Sequence, residues 1–298
     1  MSLAVLLRIP SRTRSKILPF TPREPRRDWQ PRNPGAVFHG ELANTLVAAN
    51  DCYGGCHRLF RSVAARGHYD LCWTPLWETT AAVARIRELK PRMVWIETPS
   101  NPLLRITDIE AIAAAAHETG ATVVADNTFL SPAGQNPLAL GADIVLHSTT
   151  KYINGHSDVV GGAVIAATDE LAEQCAYWAN VIGITGAPFD SFMTLRGIRT
   201  LHPRIRQHEE SAGLIARVLE AQPNVASVYY PGLESHEGHE LAKRQQRGFG
   251  GMVSFEIEGG EAAVRAFVEN LRFFSLAESL GGVESLVCHP ASMTHAPV

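Results

Sequence analysis

Three short apolar segments constrain the fold more than anything else in the chain: MVWIE at residues 93–97, ATVVADN at 121–127 and ADIVLHS at 142–148. Each is apolar at consecutive positions, so both faces of a strand would be buried, as in a parallel sheet covered by helices. Between the first two lies IEAIAAAAHET, with Thr107 or Asp108 placed to cap its first turn and Gly120 to end it. Such β, α, β alternation predicts an α/β architecture. In open sheets of this kind, chemistry gathers at the carboxyl ends of the strands. That rule selects Asn101 beyond the first strand, Asp126 at the end of the second, and Ser148, Thr150 and Lys151 closing the third.

Lys151 is one of four lysines in 298 residues, and it sits in HSTTKYINGHSDVVGG, among hydroxyl groups and glycines rather than on a charged helix face. A lysine partly desolvated on the floor of a crevice has its pKa lowered and can condense with an aldehyde as a Schiff base. A carboxylate ending a neighbouring strand can hold a pyridine nitrogen protonated, which turns such an aldehyde cofactor into an electron sink. Lys151 and Asp126 suit those two roles. The hydroxyls of Ser148 and Thr150 suit a phosphate ester, and Tyr53 in YGG is placed to stack on the ring, its glycines allowing close backbone approach.

The remainder of the chain divides by texture. Residues 1–43 are rich in Arg and Pro without helical or strand periodicity and are expected to be disordered. Residues 44–205 hold the α/β pattern. From 206 to 298 the helix EESAGLIARVLEAQ, the strands ASVYYPG and MVSFEIE, and the helix EAAVRAFVENLRFF predict a smaller α+β domain. The alternation of Val253, Phe255 and Ile257 with polar residues predicts a half-solvated antiparallel sheet there. LHPRIRQHEE is mixed in charge and reads as a solvated helix start, while Trp73, Trp77, Trp95 and Trp178 read as core or interface residues.

Composition excludes several classes of function. A net charge of −3 gives no reason to expect nucleic acid or a membrane surface as partner. No apolar run approaches the ~20 residues of a membrane helix. Five cysteines in no recurrent spacing argue against a disulfide framework or a zinc site, and for a reducing, cytoplasmic setting. Cys52 and Cys56 read as structural thiols. HEGHE at 236–240 spaces its histidines three apart, not the four that place two metal ligands on one helix face, so no metal is expected.

The segments NDCYGGCHRLF, ETPSNPLLRITDIEAIA, VVADNTFLSPAGQNPLALGADIVLHSTTKYINGHSDVVGG and LAESLGGVESL closely resemble the Cys/Met-metabolism family of pyridoxal-phosphate (PLP) enzymes, and within it the γ-replacement branch. The resemblance covers roughly residues 44 to 298. It implies the aspartate-aminotransferase-like PLP fold type I: a three-layer large domain, with a smaller α+β C-terminal domain, in a homotetramer. It implies that Lys151 carries the cofactor, Asp126 holds its ring nitrogen, Tyr53 stacks on it and acts in catalysis, and Ser148 and Thr150 bind its phosphate. Asn101 is implied at the cofactor ring or the substrate carboxylate, Ser279 at that carboxylate, and Glu284 near the far end of the substrate.

The reaction implied joins O-succinyl- or O-acetyl-homoserine to L-cysteine to form cystathionine, with amino acids as the small-molecule partners. The γ-lyases and sulfhydrylases of the family share these residues; His289, where γ-lyases tend to carry an acid, favours γ-replacement. Family members also carry an upstream tyrosine and arginine that reach a neighbouring subunit's phosphate, a Gly/Met phosphate loop, and a downstream arginine that clamps the substrate carboxylate. Residues 1–40 contain no version of the former, and Val298 precedes the latter. Both large and small domains are therefore expected to be truncated, with impaired activity or a catalytically silent fragment as the alternatives.

Overall fold

A computed structural model describes residues 6–8, by their backbone, and 44–294. In chain order the elements are β1 (Leu6–Arg8), β2 (Thr45–Ala49), α1 (Gly54–Ala64), β3 (Asp70–Thr74), α2 (Thr79–Leu89), β4 (Met93–Glu97), α3 (Ile109–Glu118), β5 (Thr122–Asp126), the short α4 (Ser131–Gly134), β6 (Ile144–Ser148), β7 (Gly162–Ala166), α5 (Asp169–Ile182), α6 (Pro188–Ile198) and α7 (Leu201–Glu220). The C-terminal part adds β8 (Val225–Tyr229), α8 (His239–Gln245), β9 (Ser254–Ile257), α9 (Gly260–Glu269), β10 (Ser275–Leu276) and β11 (Leu286–Val287).

Among the described residues one sheet has seven strands in the order β1-β7-β6-β5-β4-β2-β3. The strands from β3 to β6 are parallel, as their doubly apolar sequences predict; β7 runs antiparallel to β6 and parallel to β1. The strand at Leu6–Arg8 departs from the expectation that the Arg/Pro-rich segment forms neither helix nor strand. The rest of that expectation falls on residues outside those described. The chain leaves β2 for β3 on one side and returns to β4 on the other. Right-handed crossovers then put α1 on one face of the sheet and α2 and α3 on the opposite face.

Side-chain alternation matches this layering. Val94 and Ile96 are fully buried on the face covered by α3, whose Ile109, Ile112 and Ala116 repeat at helical spacing toward the sheet. Trp95 lies on the other face, edge-on to Phe60 of α1. Burying each aliphatic side chain contributes about 1.5–3 kcal/mol, so cutting Ile112 back to alanine would cost roughly 2–5 kcal/mol. Helix α3 is capped as its sequence predicts, the Asp108 carboxylate accepting the Ala111 N–H at 3.1 Å.

Helix α7 joins two regions. Its Leu201 and Ile205 pack with Tyr152, near the sheet, while Ala212 and Ala216 pack with Tyr230 and Leu233 in the C-terminal part. The segment read as a solvated helix start is therefore half embedded. The antiparallel pairing of β8 with β9 agrees with the alternating pattern that predicts it.

Candidate active site

The site forms at the carboxyl ends of β2, β4, β5 and β6. Strand β2 runs into the loop Asn50–Cys52, and Tyr53 precedes the first turn of α1. Strands β4 and β5 are in register with Glu97 opposite Asp126, so both carboxyls project from the same face of adjacent strands. This is the region that the strand-end rule selects from sequence.

After Ser148, strand β6 turns into one wide helical turn, Thr149–Ile153, broken at Lys151 by non-helical backbone angles (φ −89°, ψ −129°). Its amine donates to the Ser279 hydroxyl at 2.8 Å. Burial pushes the Lys151 pKa down, opposed by the charge of Glu278. No acidic residue lies close to Lys151 in sequence; the fold supplies Glu278 from the C-terminal part.

The turn is held from behind. The Arg204 guanidinium donates to the Tyr152 carbonyl at 2.7 Å, the Gly197 carbonyl at 2.8 Å and the Thr200 hydroxyl at 3.1 Å. Gly197 of α6 lies so close to the turn that a Cβ there would overlap the carbonyl oxygen of Asn154. Tyr152 is fully buried. The backbone that carries the amine is thus fixed, and the amine at its tip is held by a neutral hydroxyl.

Asp126 is tied to the same strand ends. Its Oδ1 accepts from the Thr128 hydroxyl at 2.6 Å and the Thr128 N–H at 3.0 Å, and that hydroxyl accepts the Ser148 N–H at 2.9 Å. Burial raises the Asp126 pKa and the Thr128 donors resist the rise. Beside Ser148, buried His147 has its pKa lowered by burial to about 4 and is neutral at pH 7. Among the described residues, no hydrogen bond or ion pair joins Asp126 to Lys151.

Tyr53 is 44% exposed, and its ring covers the position a Cβ at Gly55 would occupy, which explains the glycine there. Its N–H donates to Glu97 Oε2 at 2.7 Å. Among the described residues, the Ser148 hydroxyl and the Asn101 amide have no protein partner, whereas the Thr150 hydroxyl is engaged with the backbone of Gly161 at 3.0 and 3.3 Å. The C-terminal loop closes the site: Ser279 holds a left-handed backbone (φ +102°), and Glu284 Oε2 accepts the Ser157 hydroxyl at 2.9 Å.

The structure thus joins Lys151 to Ser279 and Glu284 to Ser157, sets Asp126 and Ser148 at neighbouring strand ends linked through Thr128, and ties Tyr53 to Glu97; Asn101 and Thr150 make no hydrogen bond to these groups among the described residues. The sequence reading overlooks Glu97, Thr128, Glu278 and Arg204. Glu97 and Thr128 flank the strand ends that contain Asn101 and Asp126, so the strand-end rule could have included them. HEGHE serves backbone groups: His236 Nδ1 accepts the Gly238 N–H, and His239 Nδ1 pairs with the Pro231 carbonyl. All five cysteines are free.

The sequence pattern of the family described as Cys/Met metabolism PLP-dependent enzyme matches residues 39–298. Cystathionine gamma-synthase of Escherichia coli (strain K12) is 55% identical over 251 residues, which make up 84% of this chain and 65% of that protein. Cystathionine gamma-lyase of Dictyostelium discoideum is 50% identical over 253 residues, 85% of this chain and 65% of that protein. A crystal structure of cystathionine gamma synthase from Xanthomonas oryzae pv. oryzae in complex with cystathionine superposes with a TM-score of 0.83 at 60% identity, covering 86% of this chain and 66% of that one. The chain thus spans about 65% of the length of the curated relatives it matches.

Proposed function

The chain belongs to the Cys/Met metabolism PLP-dependent enzymes, and from that premise we propose that it takes part in γ-replacement, joining an O-acylated homoserine to L-cysteine to give cystathionine. The observation that carries this reading is the Lys151 amine, lowered in pKa by burial and held by the Ser279 hydroxyl rather than by a carboxylate.

The residues present fit pyridoxal phosphate. Lys151 would hold its aldehyde carbon, Asp126 its ring nitrogen, Tyr53 one ring face, and Ser148 with Thr150 its phosphate. The free Ser148 hydroxyl and Asn101 amide support this assignment, because each is a polar group without a protein partner. When bound, the cofactor supplies an electron sink that acidifies carbon bonds of an attached amino acid.

The chain's own groups do the rest. Lys151, neutral at a lower pH than a free lysine, takes the proton from Cα, passes it on, and then takes one from Cβ of the homoserine ester. The Cγ–O bond breaks and the acyl group leaves as a carboxylate; cysteine, adding as its thiolate, then forms the Cγ–S bond, and Lys151 returns protons to carbon. Ser279 and Asn101 orient the substrate carboxylate, and Glu284 faces its far end. O-succinyl- and O-acetyl-homoserine are both compatible donors. The setting is cytoplasmic, and the exposed Val181, Ile182, Phe189 and Phe192 on α5 and α6 support association with further copies of the chain.

The test combines spectroscopy with product analysis. Pyridoxal phosphate added to the purified protein should give a violet-absorbing adduct that Lys151→Ala does not form, and acyl-homoserine with cysteine should yield cystathionine. A second reading, γ-elimination, rests on the 50% identity to the Dictyostelium γ-lyase. Formation of 2-oxobutyrate from cystathionine in place of cystathionine synthesis would establish it.

A further inference from the structure

We propose that Glu97 is a positioning residue of this site: from the end of β4 it accepts the main-chain N–H of Tyr53 while standing in register beside Asp126, so that one buried carboxyl fixes the backbone that carries the aromatic ring against the strand end that carries the acid. The inference deepens the reading above and rests on it for the roles of Tyr53 and Asp126.

The sheet topology shows why such a group is needed here. The chain passes from β2 away to β3 and returns as β4 on the opposite side, so the ends of β2 and β4 part at the switch point where α/β sheets bind ligands. No crossover helix closes that gap. Glu97 bridges it, its Oε2 2.7 Å from the Tyr53 nitrogen. Its side chain is buried, the residue being 5% exposed, and among the described residues it has no cationic hydrogen-bond partner.

Two further carboxyls and two thiols face Glu97. Asp126 stands opposite it on β5, Asp51 approaches from the loop after β2, and the thiols Cys52 and Cys56 lie within the same field. Arg105 acts on Asp51. Two buried carboxylates side by side cannot both remain ionised at low cost. Burial first, and the Asp126 charge second, raise the Glu97 pKa well above the ordinary range, while the two Thr128 donors hold Asp126 toward its charged form. The balance biases Glu97 toward its neutral form and Asp126 toward its charged form, although the Tyr53 N–H opposes the rise at Glu97. In the neutral form, Glu97 holds the Tyr53 backbone without competing for a ring cation.

Wild type, Glu97→Gln and Glu97→Ala separate this role from general support of the fold. In the ligand-free proteins, hydrogen exchange at the Tyr53 amide should stay protected in the glutamine variant, which keeps an acceptor oxygen, and quicken about tenfold in the alanine variant. The infrared carbonyl stretch of one protonated carboxyl, present in wild type at neutral pH, should vanish in Glu97→Gln. After loading with pyridoxal phosphate, visible circular dichroism should be largely retained with glutamine and largely lost with alanine. Equal Tyr53 exchange in the two variants, an unchanged infrared band in Glu97→Gln, or wild-type visible dichroism in Glu97→Ala would overturn the proposal. If wild type forms no visible adduct, the cofactor reading fails, and the two ligand-free measurements still decide the role of Glu97.

Discussion

The Lys151 amine donates to the Ser279 hydroxyl at 2.8 Å, although 128 positions of chain separate the two residues. The fold thus delivers a neutral partner to an amine that its own neighbours leave without a counter-ion. Because burial disfavours the charged form, Lys151 should lose its proton at a lower pH than a free lysine. Competitive amine labelling across a pH series checks this: Lys151 should reach half-maximal reactivity at a lower pH than a free lysine derivative labelled alongside it. A shared midpoint would remove the basis for its role as a proton carrier.

Arg204 ties the lysine turn to α6 and the start of α7, donating to the Tyr152 carbonyl of the turn, the Gly197 carbonyl and the Thr200 hydroxyl, all uncharged. Hydrogen bonds from a charged donor contribute about 1.5–3 kcal/mol. Arg204→Met should therefore lower unfolding free energy by about 2–3 kcal/mol in urea titrations, with Arg204→Lys recovering only part, since an ammonium cannot reproduce the planar fork. Cofactor affinity should fall in the same order.

Two glycine substitutions should separate stability from ligand binding. A Cβ at Gly197 meets the main-chain oxygen of Asn154, which cannot move aside, so Gly197→Ala should destabilise the protein by at least about 1–3 kcal/mol. A Cβ at Gly55 meets the partly exposed Tyr53 ring, which can swing into solvent. Gly55→Ala should leave thermal stability nearly unchanged and weaken pyridoxal phosphate binding, measured by absorbance titration.

His147 sets an acid limit on stability. Its folded-state pKa of about 4 lies below the ~6.5 of an unfolded chain, so its contribution is complete above pH 6.5 and is lost as pH falls from there to about 4. At 1.36 kcal/mol per pKa unit the loss is about 3 kcal/mol. Glu97 and Asp126 act in the opposite sense: their raised pKa values cost stability above the unfolded carboxyl range, and that cost is relieved as pH falls through the folded values. The informative quantity is thus the stability difference between wild type and His147→Asn, which should shrink by about 3 kcal/mol between pH 7 and pH 4. A pH-independent difference would assign the buried ring no titration.

Some of this architecture was legible in the sequence because its cause is local. MVWIE, ATVVADN and ADIVLHS announce buried parallel strands, and the pair Thr107 and Asp108 announces a helix cap, without reference to distant residues. Lys151, Asp126 and Ser148 followed from the strand ends alone. What escaped depends on pairing between strands or on approach from distant segments. The meaning of Glu97 appears only once β4 is set against β5, and the bond of Ser279, expected only at the substrate carboxylate, to Lys151 appears only once the chain beyond α9 is in place. Arg204 lies in a run of mixed charge that looks solvated until α7 is docked on the lysine turn. The antiparallel direction of β7 has no signal in GAVIA, which is apolar enough to run either way.

Placing Glu97 opposite Asp126 also bears on how the protein assembles. A one-residue slip of β4 would drive the glutamate among the aliphatic side chains under α3 and present Ile96 where the acid belongs. Misaligned pairings are thereby penalised by the desolvation of a carboxyl, and the acids of the site proofread the folding of the sheet that carries them.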